Sequence, residues 1–253
     1  MTIGAAASAL EALRGIAGKG SAQRREDALA RLFAAATVLE QQFLAGLLLG
    51  ELRQGALEGV MADAIAAAAN VPAAEVRRAL MLAGRVAPVA SAALEAGSAG
   101  LSRFRLTLYE PLAPMLASPT ADVDSALAAL ESAVFEYKLD GARVQIHKKG
   151  PEGVRVYSRT GRDVTASVPE VAAAIAELSA TAAIVDGEVL ALTPSGHPRP
   201  FQDTMRRFGR KLDVADMCDA LPLSLFCFDC LHLNGEDLID RPLAERHERL
   251  AEA

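Results

Sequence analysis

Two unlike parts are predicted for this chain, an all-helical amino-terminal part followed by an α+β part, which together make a multidomain α plus α+β class. Three observations carry that expectation. Apolar residues recur every three or four positions from Ala22 to about Ala96, the spacing of amphipathic helices. Pro111, Pro114 and Pro119 then punctuate a stretch that cannot sustain a helix. From Val134 onward the periodicity falls to two, as in strands. The 253 residues allow one large domain or two ordinary ones, and 51% hydrophobic content is ample for a buried core.

Each element follows from its own residues. Leu29, Leu32, Phe33, Ala36, Leu39, Phe43, Leu44 and Leu47 line one face of a helical run, and Ala62, Ile65 and Ala69 continue the pattern in a second helix that starts near Glu51. Asn70-Val-Pro-Ala-Ala-Glu75 restarts a helix, with Pro72 at an early position and Glu75 in the first turn. The segment from Ser102 to Pro119 reads as an extended linker, and the domain boundary is placed between residues 105 and 106. After a short helix from about Asp122 to Glu131, strands are expected at Val134–Lys138, Arg143–His147, Val154–Arg159, Ile184–Leu190 and Leu223–Leu231. Ser167-Val-Pro-Glu170 has the form of a capping box that opens a helix through Leu178.

Several function classes are set aside by composition. No run of about 18 uncharged apolar residues exists, and Met1 to Ala7 lacks the basic and apolar regions of a secretory signal. Three cysteines do not make a disulfide framework, so a cytosolic protein with no membrane role is expected. Cys227-Phe-Asp-Cys230 has the spacing of a zinc knuckle, but it lacks a second pair and strand alternation sends its sulfurs to opposite faces. The net charge of -6 speaks against a nucleic-acid partner only as a total. By segment, residues 138–162 carry +5, residues 199–212 carry +4 and residues 213–253 carry -7. The two basic segments are read as a phosphate-handling surface, with Arg159, Arg162, Arg206, Arg207 and Arg210 as DNA or phosphate contacts.

Lysine is rare here, 5 residues against 21 arginines, and one lysine has a distinctive setting. In Glu136-Tyr-Lys138-Leu-Asp140-Gly-Ala-Arg143, Glu136 and Lys138 are expected to share one strand face, Asp140-Gly141 to turn, and Arg143 to open the next strand. A lysine amine is an inert cation until neighbouring cations and desolvation make it a nucleophile, and Arg143 and Arg159 are available for that. For the motif alone, a lysine salt-bridged in a surface hairpin is the competing explanation.

Other segments narrow the choice. Phe135 to His147, Ser158-Arg-Thr-Gly-Arg162, Ile184-Val-Asp-Gly-Glu188 and Leu225-Phe-Cys-Phe-Asp229 occur in an order and spacing that resembles the covalent nucleotidyltransferase superfamily, most closely the ATP-dependent DNA ligases of bacteria and archaea. Gly20-Ser21, then Glu40 to Gly55 with Leu52-Arg-Gln-Gly55, resembles the helical DNA-binding domain of that family. The resemblance implies a helical DNA-binding domain at 1–105 and, at 106–253, a nucleotidyltransferase (adenylation) domain of antiparallel sheets with flanking helices. It implies that Lys138 attacks the α-phosphorus of ATP, Glu136 accepts from the adenine amine, and Arg143 holds the ribose or phosphate. Arg159 then holds the ATP phosphates or the nick 5'-phosphate, Glu188 contacts the ribose and places Mg2+ or Mn2+, and Phe228 stacks on adenine. Alternation along Leu223 to Leu231 is consistent with Phe228 facing a ligand while Leu225 faces the core.

Nicked duplex DNA and ATP are the implied partners of a cytoplasmic, nucleoid-associated monomer. The resemblance also creates the expectation of a fragment, because the second metal-binding acid, the paired lysines and the OB-fold domain of a full ligase have no counterpart after Leu243. Two alternatives are carried: an RNA ligase or capping type of nucleotidyltransferase, and a non-catalytic DNA- or nucleotide-binding remnant.

Overall fold

The structure is a computed structural model that describes residues 1–253 except 19, 50, 52–57, 116, 131 and 210–212. It divides into two compact units, Met1–Leu57 and Glu58–Ala253. The first unit holds helices α1 (Ile3–Arg14), α2 (Ser21–Ala34) and α3 (Val38–Leu49). Thr2 caps α1 by accepting from the Ala5 N–H. The long helical run expected through Leu47 is two helices. Thr37 breaks it with a capping box, in which the Thr37 N–H donates to Glu40 Oε2 at 2.7 Å and the Glu40 N–H donates back to Thr37 Oγ1 at 3.4 Å. Leu32 and Leu44 are buried in this unit, whereas Leu39, Phe43 and Leu47 of the expected inner face are exposed.

The second unit opens with α4 (Glu58–Ala69), α5 (Ala73–Ala83) and α6 (Val86–Leu101). Their contact surfaces are small side chains, among them Ala62, Ala66, Ala79 and Ala93, packed with Ile65, Val76 and Val89. A sheet of five antiparallel strands follows, β1 (Ala142–Lys149), β2 (Gly153–Ser158), β3 (Ala182–Ala191), β4 (Leu223–Leu233) and β5 (Glu236–Asp237), in the order β2-β1-β3-β4-β5. One sheet face carries Val144, Ile146, Val156, Val185 and Val189 onto α8 (Pro169–Ala176), through Val171 and Ile175, and onto Phe208 of α9 (Phe201–Phe208). On the other face Ile184 and Leu231 meet Leu82 of α5 and Leu112 of the proline-rich stretch. Helices α4 to α6 therefore belong to the same compact unit as the sheet. The remaining helices are α7 (Val123–Leu130), α10 (Val214–Ala220) and α11 (Leu243–Glu252).

Two local expectations are corrected. Val134–Lys138 is not a strand: residues 133–140 join no ladder, and both edges of the strand that follows, β1, are taken by β2 and β3. Val134, Phe135 and Tyr137 are left exposed. The capping box expected at Ser167 and Glu170 does not form either. Val168 is the N-cap of α8 without a side-chain bond, and the Glu170 carboxylate is taken by Arg207.

Candidate active site

Strand β3 divides its side chains between two jobs. Val185 and Val189 enter the main core, while Asp186 and Glu188 lie across from Gln145 and Arg143 of β1 in the antiparallel register. Arg143 Nη2 donates to Asp186 Oδ2 at 2.7 Å and Gln145 Nε2 donates to Asp186 Oδ1 at 3.1 Å, so both oxygens of this buried carboxylate are used. Glu188 is half-buried and accepts from the Gly141 N–H at 3.0 Å. Burial pushes its carboxyl pKa above the usual range. The Gly141 hydrogen bond and the positive charges of Lys138 and Arg143 oppose that rise, and the charge of Asp140 adds to it. Lys138 is exposed and stands within electrostatic reach of Glu188.

Gly141 is required here by close approach. A Cβ at this position would collide with the Val189 carbonyl and the Leu190 side chain, which keeps the turn pressed on β3 and its N–H on Glu188.

Phe228 reaches the site by a route that simple alternation does not give. Gly187 pairs with Cys227 and Asp186 with Asp229, which leaves Phe228 as the extra residue of a β-bulge, and a second shift leaves Leu231 extra. The face therefore changes along β4: Leu223 and Leu225 pack in the core as expected, but Cys230, expected on the side of Phe228, joins them there. The Arg143 guanidinium lies over the Phe228 ring at 5.7 Å.

A buried polar chain behind Arg143 was missed in the sequence. His147 is fully buried, and its Nδ1 accepts from the Tyr109 N–H at 2.8 Å. Nε2 must then carry the hydrogen, and it donates to Gln145 Oε1 at 3.0 Å, which also accepts from the Leu112 N–H at 2.7 Å. Burial, reinforced by nearby His232, pushes the His147 pKa down to about 4. The chain thus links Tyr109 and Leu112 through His147, Gln145 and Asp186 to Arg143. Its signal was present in Arg143-Val-Gln-Ile-His147, where polar residues alternate with apolar ones along a strand.

The remaining expected residues are scattered. Glu136 lies in the unpaired segment, 3.4 Å from His247 Nε2. Arg159 and Arg162 are exposed in the tight turn after β2, where Gly161 has φ 72° and Arg159 lines a cleft with Arg85, Tyr109 and Pro111. Arg206 is exposed on α9. Arg207 is a correction: its side chain is fully buried, with Nη2 between both oxygens of Glu170 at 2.7 and 2.8 Å, so it offers no surface contact. Arg210 lies outside the described residues.

The grouping places a primary amine near a half-buried carboxylate, with a guanidinium over an aromatic ring at 5.7 Å, a set suited to phosphate charge and a planar base. Among the described residues no cluster of three or more His, Cys, Asp or Glu offers a metal cage. Glu188 could take an ion such as Mg2+, which keeps most of its waters and needs one or two carboxylates plus substrate phosphates.

Residues 114–253 match the family model described as ATP dependent DNA ligase domain, and residues 1–66 match that described as DNA ligase N terminus. A probable DNA ligase of Anaeromyxobacter sp. (strain Fw109-5) is 59% identical over 246 residues, covering 97% of this chain and 47% of the relative. That of Anaeromyxobacter dehalogenans (strain 2CP-C) is 55% identical over 254 residues, covering 100% and 49%. The chain spans about half the length of the curated relatives it matches. The solved ligase domain of M. tuberculosis LigD is 31% identical, with a TM-score of 0.36, over 46% of this chain and 35% of that one. With the first family model spanning more than half of its residues, the chain belongs to the ATP-dependent DNA ligase family.

Proposed function

We propose that the chain carries the nucleotide-handling part of a DNA ligase that seals 5'-phosphate/3'-hydroxyl nicks through a lysyl-AMP intermediate. The observation that supports this best is the grouping of Lys138, Arg143 and Glu188 about the Gly141 turn, with Phe228 turned toward Arg143 by its bulge. In this reading the Lys138 amine attacks the α-phosphorus of ATP and pyrophosphate leaves. Arg143, fixed by Asp186, meets ribose or phosphate, Phe228 stacks on the base, Glu136 accepts from the adenine amine, and Glu188 meets the ribose and holds Mg2+ or Mn2+ when bound. Nucleotidyl transfer of this kind depends on positioning and on neutralising phosphate charge, which the metal and the arginines supply.

Nicked duplex DNA is the second substrate. Arg159, Arg162 and Arg206 are its proposed phosphate contacts, and the helical residues within 1–105 form the proposed DNA-binding domain ahead of the adenylation domain at 106–253. Action as a cytoplasmic, nucleoid-associated monomer in repair, replication or recombination completes the reading; no helix among the described residues is long and apolar enough to cross a membrane.

Incubation with α-labelled ATP and Mg2+ tests it. Weak labelling of this chain is expected, stable to alkali and labile to acid as a lysine phosphoramidate is, and lost in Lys138→Ala, with stronger labelling of a form extended to the length of its relatives. An extended form that takes up no label, or one labelled equally after Lys138→Ala, overturns the proposal.

A further inference from the structure

Helix α11 is pinned beside the candidate active site. Arg246 donates from Nε and Nη2 to both oxygens of Asp229, at 2.7 and 3.0 Å, and Arg249 pairs with Glu236 at 2.9 Å. These two anchors flank His247 and fix where its ring lies. Its Nε2 is 2.8 Å from the Phe228 carbonyl oxygen and 3.4 Å from Glu136 Oε1. A carbonyl can only accept, so Nε2 carries the hydrogen and donates it to Phe228, while the Glu136 carboxylate lies 3.4 Å from the same nitrogen. Glu136 sits in the unpaired segment, and this is the one polar contact its carboxylate makes among the described residues. One helix side chain therefore ties together the backbone of the proposed stacking residue and the carboxylate proposed to read the base.

We propose that His247 is a positioning residue for the nucleobase pocket: by holding one oxygen of Glu136 beside the Phe228 bulge it aims the other at the exocyclic amine, and so favours 6-aminopurine nucleotides. The inference rests on the role given to Glu136 above. A carboxylate on an exposed, unladdered segment otherwise loses rotamer freedom on binding, and a partner that orders it beforehand removes part of that cost. A pocket that hydrogen-bonds an amine discriminates against a ligand lacking it, because its own acceptor is then left unpaired.

Equilibrium binding of ATP and of purine riboside 5'-triphosphate, which has no 6-amino group, to the 253-residue chain tests this. The wild type is expected to bind ATP more tightly than the analogue. His247→Ala is expected to weaken ATP about tenfold and the analogue less than about twofold, and His247→Gln, which keeps an N–H donor, to recover most of the ATP affinity. Equal weakening of both nucleotides would assign His247 a merely structural role, and undiminished ATP binding would remove its role altogether. A wild type that binds both nucleotides alike, or neither, overturns the role of Glu136 and the proposal with it, an outcome distinct from failure of His247 alone.

Discussion

His147 shows how one side chain constrains the site from beneath. Its Nδ1 is an acceptor for a backbone N–H and its Nε2–H a donor to Gln145, a pattern only the neutral ring satisfies. The folded pKa of about 4 lies below the 6.5 of an unburied histidine. The folded state therefore binds fewer protons than the unfolded chain between those values. Stability from neutral His147 is complete above about pH 6.5 and is lost as pH falls toward 4. One proton contributes a slope of about 1.4 kcal/mol per pH unit, and about 3.4 kcal/mol is an upper bound for the whole window. In urea unfolding, His147→Gln should flatten the decline between pH 6.5 and 4 by up to about one proton. A variant with the wild-type slope would mean that His147 is already charged in the fold.

At the scale of elements, the strands were legible and their partners were not. Arg143–His147, Val154–Arg159, Ile184–Leu190 and Leu223–Leu231 all lie in strands apart from Arg159, because alternating Val, Ile and Leu states the period directly. Val134–Lys138 has the same local pattern, yet it joins no ladder, since which segments pair is set by residues far away in sequence. Bulges are likewise invisible to a period count, so Phe228 was placed facing the ligand by an alternation that its own bulge interrupts. Glu170 had the right spacing from Ser167 for a cap, but a fully buried guanidinium 37 residues later claims its carboxylate. That pair ties α9 to α8, and removing one partner leaves the other without its counter-charge. Arg207→Met is expected to cost about 3 kcal/mol or more in urea unfolding while leaving the salt dependence of DNA binding unchanged. Wild-type stability combined with weaker DNA binding would return Arg207 to the surface.

Across the whole molecule, charge could be counted from the sequence but exposure could not. The total of -6 conceals basic segments of +5 and +4, yet the second includes Arg207, which Glu170 neutralises inside the fold. Arg78 is similarly held by Asp240 at 2.6 and 2.7 Å. The +5 segment is different. Arg159 and Arg162 are exposed in a tight turn, Arg159 shares its cleft with Arg85 and Glu110, and neither turn arginine is ion-paired among the described residues, so a phosphate backbone bound here would meet unpaired guanidinium groups. Duplex binding releases counterions in proportion to the phosphates neutralised, with a slope of log affinity against log salt of about -0.9 per contact. Replacing Arg159 and Arg162 together by alanine should make that slope shallower by roughly 1 to 2 for nicked duplex DNA, and weaken binding alike across sequences. Arg78→Ala, which removes a cation already neutralised, should leave the slope unchanged. If instead the Arg159/Arg162 variant keeps the full slope, the DNA path lies elsewhere on the molecule and the +5 segment serves the nucleotide alone.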